Sequence, residues 1–315
     1  MNFTEEYAPI NGINQYFLHY PSTQQEVVIF LHGGPGSSTA SFANNLKKHW
    51  DFCSFVYYDQ RGTGRTLKRN KTKADDLTID ILLQDLKETI SYIKKKYQTN
   101  RIILLGQSWG SVLGTQYILK YPDDVICYIG NGQVVDIRRE MKVSYDKLKE
   151  ALESKGAKSD VKKLASLGDY PNVDIKNYTD SVTRFVKLQS KHGQALNISK
   201  IMKTAFKSPI FKLSDLYFLA KGSKLNTQLG ETLSEYNIQE ITKYPVPVYY
   251  VLGRDDWQVP STVAAEYFEK IDAPHKGLFW IENAGHVTDV DNPKDFSKVL
   301  KEIVLQLQTF GGTYE

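Results

Sequence analysis

Residues 101–114, RIILLGQSWGSVLG, decide the fold of this chain. The apolar run 102–105 is typical of a short, buried parallel strand. A helical pattern begins at Ser111 and ends near Pro122. Between them, residues 106–110 read GQSWG and match the G-x-S-x-G pattern, in which a strand turns sharply into a helix. The stretch therefore predicts a strand, a tight turn and a helix in immediate succession.

The two glycines of this pattern have a physical purpose. Gly106 and Gly110 lack the Cβ atoms that would collide where strand and helix cross, and they permit the backbone angles of a sharp turn. Ser108 is then held on a strained backbone, with its hydroxyl exposed above the sheet. We therefore expect Ser108 to be a nucleophile.

Composition is typical of a globular protein of enzyme size. Of the 315 residues, 41% are hydrophobic and 24% are charged, so the chain can bury a sizeable core. The formal net charge is only +4 and the lysines are spread among acidic residues, which argues against nucleic-acid binding. The first thirty residues lack a secretion signal pattern and no apolar run approaches a membrane span, so a cytoplasmic location is predicted.

The cysteine count excludes a disulfide framework. Only Cys53 and Cys127 are present, and we expect both to lie in buried strands as packing thiols. A metal site is not expected from two such residues.

Strand and helix signals alternate along the first part of the chain. The Asn11-Gly12 pair predicts an antiparallel hairpin over residues 3–20. Further elements are predicted as strands at 27–31, 52–58, 101–105 and 125–129, with helices at 79–97 and 111–120. This alternation predicts a mostly parallel sheet with helices on both faces.

The alternation is interrupted in the middle of the chain. Residues 133–243 are lysine-rich and amphipathic without a convincing strand, and helices are predicted at 141–154 and 159–166. Strand and helix signals then resume at 246–252, 262–271, 277–281 and 293–308. We interpret the middle segment as a helical insertion.

A serine nucleophile needs a base, and the base needs an orienting acid. Both are expected in loops after later strands, in the chain order serine, acid, histidine. The strand predicted at 246–252 leads into Asp255 and Asp256, and the strand at 277–281 leads to His286. Of the six histidines, His286 alone has both the order and the setting. Order does not separate Asp255 from Asp256.

Hydrogen-bond donors for a developing oxyanion are predicted from two places. Residues 32–36, HGGPG, follow the strand at 27–31 and are similar to a glycine-rich loop that supplies one backbone amide. That donor is the amide of Gly34 or of Gly33. The second is the amide of Trp109, directly after the nucleophile.

Five motifs in this order resemble the proline iminopeptidase family: HGGPG at 32–36, DQRGTGR at 59–65, GQSWGS at 106–111, GRDD at 253–256 and AGH at 284–286. The resemblance implies an α/β-hydrolase fold with a mostly parallel eight-stranded sheet and helices on both faces. It also implies a catalytic domain of residues 1–132 and 244–315, and a helical cap of residues 133–243. In the family's G-R-x-D motif the acid is fourth, which assigns that role to Asp256.

The resemblance implies a serine peptidase that releases an N-terminal residue, with proline favoured, from small peptides. No metal or organic cofactor is required. Cap carboxylates hold the substrate's free α-amino group in the family, since a buried ammonium needs a partner; the candidates here are Glu140, Asp215, Glu231 and Glu235. The alternatives are an esterase or amidase on the same triad, or a non-catalytic ligand-binding protein.

Two further segments bear on the resemblance to the proline iminopeptidase family. Arg61 and Arg65 of DQRGTGR are interpreted as structural, paired with Asp59, rather than as contacts to a substrate carboxylate. Residues 287–290, VTDV, directly after His286, depart from the family's pattern.

Overall fold

A twisted sheet forms the centre of the computed structural model, which describes residues 3–40, 43, 52–171 and 175–311. Within these residues, eight strands form a single sheet in the spatial order β1-β2-β4-β3-β5-β6-β7-β8. The strands are β1 (Thr4–Ile10), β2 (Ile13–Tyr20), β3 (Val27–Leu31), β4 (Ser54–Tyr58), β5 (Ile102–Gln107), β6 (Val125–Asn131), β7 (Val248–Gly253) and β8 (Lys276–Ile281). Only β1 with β2, and β2 with β4, pair antiparallel. The predicted mostly parallel, eight-stranded sheet is confirmed.

Helices surround this sheet. They are α1 (Gly64–Arg69), α2 (Ile79–Tyr97), α3 (Trp109–Lys120), α4 (Ile137–Ser154), α5 (Lys158–Ala165), α6 (Ile175–Lys191), α7 (Ile198–Lys207), α8 (Leu213–Leu225), α9 (Thr227–Thr232), α10 (Ser261–Lys270), α11 (Thr288–Asp291) and α12 (Pro293–Gly311). Helices α4 to α9 all lie in the segment between β6 and β7. Across the part of the chain given above, no helix is both long and apolar enough to span a bilayer.

The strands are apolar on both faces because each face is covered by helices. Successive side chains of a strand point to opposite faces. In β5, Leu104 joins a buried cluster with residues of α2 and α3, whereas Ile103 joins a second cluster with Phe296 and Leu300 of α12. The continuous apolar run in the sequence therefore reflects burial on two sides.

Local signals account for several element boundaries. The hairpin turns at Asn11 and Gly12, which both have positive φ, 40° and 77°, as a tight turn between strands requires. Helix α2 begins where the Thr78 hydroxyl accepts a hydrogen bond from the Ile81 amide at 3.3 Å. The strand predicted from residue 52 begins instead at Ser54, so Cys53 is buried but lies just before β4.

The helices between β6 and β7 pack in two directions. Leu148, Leu164 and Phe185 form a small apolar cluster of their own within α4 to α6. Leu229 and Leu233, near the end of the segment, join the same cluster as the core of the sheet. The inserted helices thus share part of the central core, and the division into two domains stays a prediction.

Candidate active site

Ser108 occupies the turn between β5 and α3. Its backbone angles are φ 52° and ψ −122°, values that a residue with a side chain adopts only when its surroundings impose them. The Ser108 amide donates to the carbonyl of Asn131 at 3.0 Å, and the Ser108 carbonyl accepts from the Ser111 amide at 2.7 Å. These hydrogen bonds hold the turn at both ends.

The flanking glycines are required by close backbone contacts. A Cβ atom on Gly106 would lie 2.5 Å from the Gly110 carbonyl oxygen, and one on Gly110 would lie 2.1 Å from the carbonyl oxygen of Leu31. Both distances are far below van der Waals contact with backbone atoms that cannot easily move. The strand and helix can therefore cross this closely only without side chains at these positions.

Asp256 and His286 form a buried pair. The His286 Nδ1 atom lies 2.8 Å from the Asp256 Oδ2 atom, and both side chains are buried. The other oxygen of Asp256 accepts hydrogen bonds from the amides of Gln258 and Val259, at 3.0 and 2.9 Å. Asp255 is exposed. Of the two adjacent carboxylates, the structure places Asp256 against the histidine.

The environment of His286 prepares the ring to take up a proton. Burial has the largest single effect and lowers the pKa of His286, but the neighbouring carboxylates, Asp256 foremost, together outweigh burial and hold the pKa above its ordinary value of 6.5. Asp291 and Asp289 act in the same direction. The Nε2 atom is buried and has no hydrogen-bond partner among the residues that the structure describes. The ring thus presents an unoccupied basic nitrogen while Asp256 orients its opposite side.

The loop carrying His286 packs against the residues that hold Ser108. A Cβ atom on Gly132 would lie 3.2 Å from the His286 Cε1 atom. Gly132 directly follows Asn131, whose carbonyl accepts the Ser108 amide. The histidine predicted from a distant part of the sequence is therefore brought to the nucleophile turn.

The glycine-rich loop lies on the other side of Ser108. Gly34 has φ 144°, which favours glycine, and it lines the same cavity as Ser108 and Trp109. Gly33 packs against the serine itself, since a Cβ atom there would lie 3.4 Å from the Ser108 Cβ atom. The Trp109 amide is the first of α3 and has no partner inside the helix. Of the two predicted loop glycines, Gly34 is the one that reaches the cavity.

Gln60 braces this arrangement, and the sequence interpretation did not assign it a role. Its side-chain oxygen accepts a hydrogen bond from Trp109 Nε1 at 2.9 Å, and its side-chain nitrogen donates to the carbonyl of His32 at 3.2 Å. The Gln60 amide also donates to His32 Nε2 at 3.0 Å. One residue of the DQRGTGR motif therefore connects the glycine-rich loop to Trp109, the residue after Ser108. The signal in the sequence that could have pointed to Gln60 is its position within the DQRGTGR motif.

The arginines of the same motif make structural ion pairs, but not with the predicted partner. Arg61 Nε lies 2.7 Å from the Asp85 carboxylate, and Arg65 Nη2 lies 3.1 Å from that of Asp215. Asp59 accepts a hydrogen bond from the backbone amide of Arg65 at 2.6 Å instead of binding either guanidinium group. The two guanidinium groups reach carboxylates on other elements because their long side chains extend away from the turn.

A cavity of about 350 Å³ opens above Ser108. Besides Ser108, Gly34 and Trp109, its lining includes the acidic residues Glu140 and Glu231. The rest of the lining is largely apolar and comes mainly from the inserted helices: Val134, Ile137, Met141, Tyr170, Phe185 and Leu233. The volume is that of a small-molecule site with a few polar groups in an apolar wall.

Glu140 is the buried carboxyl group of this cavity. It is 4% exposed, and one of its oxygens accepts hydrogen bonds from the amides of Val135 and Asp136, at 2.7 and 3.3 Å. Burial raises the pKa of Glu140 to about 8, although these amides act in the opposite direction. Glu140 is therefore largely neutral at pH 7 when no cation faces it.

The other two predicted cap carboxylates lie elsewhere. Asp215 is buried against Arg65 and accepts the Lys212 amide at 2.9 Å at the start of α8. Glu235 is exposed and accepts a hydrogen bond from Arg138 Nε at 3.1 Å. Neither lines the cavity above Ser108.

The chain matches the α/β hydrolase fold family over residues 26–293 and belongs to that family. It is 25% identical over 307 residues to a protein of Bacillus subtilis named probable aminopeptidase, covering 94% of this chain and 92% of that protein. It is 29% identical over 314 residues to the proline iminopeptidase of Saccharolobus solfataricus, covering 98% and 94%. The predicted family resemblance and the predicted hydrolase class are confirmed.

A solved structure shows the same fold over the whole chain. The proline iminopeptidase of Mycobacterium smegmatis superposes with a TM-score of 0.69 at 16% identity, and the superposition covers 98% of this chain and 100% of that chain. The inserted helices are therefore included in the likeness as well as the sheet.

Proposed function

We propose that this protein is a serine aminopeptidase that releases an N-terminal residue, with proline favoured, from small peptides. His286 takes the proton of the Ser108 hydroxyl as the oxygen attacks the carbonyl carbon, while Asp256 orients the ring and stabilises its charged form. The amides of Gly34 and Trp109 donate to the oxyanion. His286 then protonates the leaving amine. In the second half of the reaction, water attacks the acyl carbon while His286 takes its proton, and His286 returns that proton to the departing Ser108 oxygen.

The observation that carries this proposal is the shared cavity of Ser108 with Glu140 and Glu231. A substrate whose α-amino group lies one carbon from the scissile carbonyl places a positive charge next to the nucleophile. Burial of that charge is costly unless a carboxylate meets it. In this proposal the inserted helices, residues 133–243, act as a cap that supplies both carboxylates and the apolar wall.

The raised pKa of Glu140 suits a group that changes charge when a cation binds. In the empty cavity burial favours the protonated form, with a pKa of about 8. An ammonium group nearby favours the carboxylate instead, so binding drives ionisation of Glu140 and releases a proton. An uncharged acyl group gains nothing from this exchange, which gives the site a preference for free N-termini.

The test compares three chromogenic substrates, of which the first two share an arylamine leaving group. Proline arylamide should be hydrolysed, whereas N-acetylproline arylamide, which has no ammonium group to pair with Glu140, should react at least about 100-fold more slowly. Short aryl esters serve as the third arm. Turnover of esters alone would leave an esterase on the same triad, and equal turnover of both arylamides would exclude recognition of the free amine.

A fluorophosphonate probe separates an enzyme from a non-catalytic binding protein on this fold. Labelling of Ser108, mapped by mass spectrometry, is the expected result because an activated serine reacts with such probes. Folded protein that stays unlabelled would support the non-catalytic alternative. The cytoplasmic location and the lack of a nucleic-acid partner stay predictions.

A further inference from the structure

The short helix α11, directly after His286, is joined to the nucleophile turn by two side-chain hydrogen bonds. Gln107 Nε2 donates to Asp289 Oδ1 at 3.1 Å, and the Thr288 hydroxyl donates to Asn131 Oδ1 at 2.7 Å. Gln107 directly precedes Ser108, and the carbonyl of Asn131 accepts the Ser108 amide. Both bonds therefore end on residues that hold the serine.

The Thr288–Asn131 hydrogen bond is buried, whereas the Gln107–Asp289 hydrogen bond is partly buried because Asp289 is itself partly exposed. Gln107 is 3% exposed, and both Thr288 and Asn131 are 0% exposed. Side-chain hydrogen bonds between buried groups have defined geometry and are costly to break, because the partner left behind stays unsatisfied. Segment 287–290, which departs from the family's sequence pattern, thus connects the histidine loop to the turn at Ser108, residues 106–110, called the elbow below.

Asp289 also contributes a charge near the base. The charged groups that act on His286 are Asp256, Asp291 and Asp289, and all three carboxylates favour its protonated form. Asp291 is itself paired with Lys200, whose Nζ atom lies 3.4 Å from its carboxylate. Among the residues that the structure describes, no cation forms such a pair with Asp289; its side chain accepts the neutral amide of Gln107. Its charge is therefore less compensated than that of Asp291.

We propose that Asp289 is a positioning residue of the active site, which holds the elbow through Gln107 and supports the imidazolium of His286 with its negative charge. The inference rests on the proposed function of Ser108 and His286 but not on the identity of the acyl group. Burial, together with the neighbouring carboxylate of Asp291, raises the pKa of Asp289 to about 6. At neutral pH the carboxylate is therefore ionised, and it loses its charge only in acid.

Two variants separate the charge of Asp289 from its hydrogen bond. Asp289→Asn keeps an acceptor for Gln107 but removes the charge. Gln107→Met keeps the charge and the side-chain length but removes the donor. Glu282→Gln is the matched control, because it removes an exposed carboxylate of the same loop, and this carboxylate pairs with Arg254 at the surface.

The readout is the second-order rate of Ser108 labelling by a fluorophosphonate between pH 5 and 9, which requires no knowledge of the substrate. For Asp289→Asn we expect the acidic limb of the pH–rate curve, where the labelling rate falls with decreasing pH, to move to lower pH by roughly 0.3 to 1 unit, because His286 loses a neighbouring negative charge. The plateau, which is the labelling rate at high pH, should stay within about threefold of wild type. For Gln107→Met we expect the plateau to fall by about tenfold with the limb unmoved, since the elbow loses its alignment. Glu282→Gln should match wild type in both respects.

A direct NMR titration of the His286 ring in wild type and Asp289→Asn makes the test independent of labelling. A lower pKa of His286 in Asp289→Asn supports the inference. Superimposed titrations, together with unchanged labelling plateaus, overturn it while leaving the proposed nucleophile intact. If wild-type protein is not labelled at any pH, the proposed function fails, and the titration alone still decides whether Asp289 acts on His286. Thermal melting of each variant confirms that it is folded.

Discussion

Gly222 of α8 lies in direct backbone contact with Gly36 of the glycine-rich loop. A Cβ atom on Gly222 would lie 2.5 Å from the Gly36 carbonyl oxygen, and one on Gly36 would lie 2.6 Å from the Gly222 carbonyl oxygen. Asn226, directly after α8, makes a second contact beside it, since its Nδ2 atom donates to the carbonyl of Gly62 in the DQRGTGR segment at 3.3 Å. An inserted helix therefore rests directly on the loop that presents Gly34 to the cavity.

This contact predicts that Gly222→Ala destabilises the protein. The added methyl group meets backbone atoms, so helix and loop must separate, at a cost of about 1 to 3 kcal/mol. Gly230→Ala is the matched control, because among the described residues its Cβ atom would meet just Pro35, at 3.8 Å, and alanine is the better helix former by about 0.5 to 1 kcal/mol. Urea unfolding should show opposite signs for the two variants. Equal stability of Gly222→Ala and wild type would contradict the observed contact.

Ser108→Ala should abolish turnover while leaving the fold intact. Removal of the nucleophile of a triad reduces kcat by on the order of 10⁴-fold or more. The exposed Ser190→Ala on α6 is the control and should keep wild-type turnover. Turnover of proline arylamide and circular dichroism are measured on the same samples. Near-normal turnover in Ser108→Ala would remove this serine from the mechanism.

The pH dependence of turnover should reflect the raised pKa of His286. Activity requires the neutral ring, so kcat/KM for an uncharged aryl ester should fall with decreasing pH through a pKa above 6.5. Asp256→Asn removes the carboxylate that raises this pKa and should reduce the plateau by about 10⁴-fold. Asp255→Asn, which changes the exposed neighbour, should leave the plateau unchanged. A larger loss in Asp255→Asn than in Asp256→Asn would reverse the assignment of the acid.

Glu140→Gln should discriminate between charged and uncharged substrates. Glutamine can still accept the amides of Val135 and Asp136 but cannot pair with an ammonium group. We expect kcat/KM for proline arylamide to fall by roughly 10- to 100-fold, with little change for a short aryl ester. The exposed Glu235→Gln should affect neither substrate. Equal losses on both substrates would mean that Glu140 has only a structural role.

The same variant should change how stability depends on pH. Unfolded Glu140 has the ordinary pKa of 4.5, whereas the folded value is about 8. Between these values the folded state binds a proton that the unfolded state lacks, so the free energy of unfolding decreases as pH rises, by up to ~1.4 kcal/mol per pH unit. Glutamine does not titrate, so the free energy of unfolding of Glu140→Gln lacks this contribution to the pH dependence.

The free energy of unfolding of Glu140→Gln relative to wild type should therefore increase between pH 5 and pH 8, by roughly 3 to 4 kcal/mol in urea titrations. Glu235→Gln is again the control. The pKa of Glu235 is lowered by its hydrogen bond with Arg138, so its titration falls below this range and its difference from wild type should stay constant. A constant difference for Glu140→Gln as well would mean that Glu140 is ionised in the folded protein.

Much of the fold was predictable because its signals are local. Helix α2 has the predicted limits, 79–97, since an apolar stripe, a capping threonine and a left-handed C-terminal residue all lie within the same segment. Strand β5 continues to Gln107, two residues beyond the predicted end, because β6 provides a pairing partner as far as Asn131. That extension depends on a neighbour distant in sequence, which no local pattern contains.

The side chains around Ser108 also fall into two groups, those that the sequence pattern predicted and those whose position depends on distant parts of the chain. Chain order and loop position were sufficient to propose Ser108 and His286, but they left Asp255 and Asp256 equivalent, and the choice came from family resemblance. The structure supplies the physical difference: Asp256 is turned inward by the amides of Gln258 and Val259, whereas Asp255 is exposed. Gln60 and Asp289 were not predicted because their partners lie 49 and 182 residues away.

Local patterns were enough to predict the strand, turn and helix around Ser108, the alternating sheet and the helical segment between β6 and β7, because glycine spacing and apolar periodicity act over a few neighbouring residues. Which of the four candidate carboxyl groups share the cavity with Ser108 became clear only once the chain was folded. Glu140 and Glu231 line that cavity, while Asp215 is paired with Arg65 and Glu235 faces solvent. The four residues look alike in sequence; their burial and partners depend on how the inserted helices pack over the sheet.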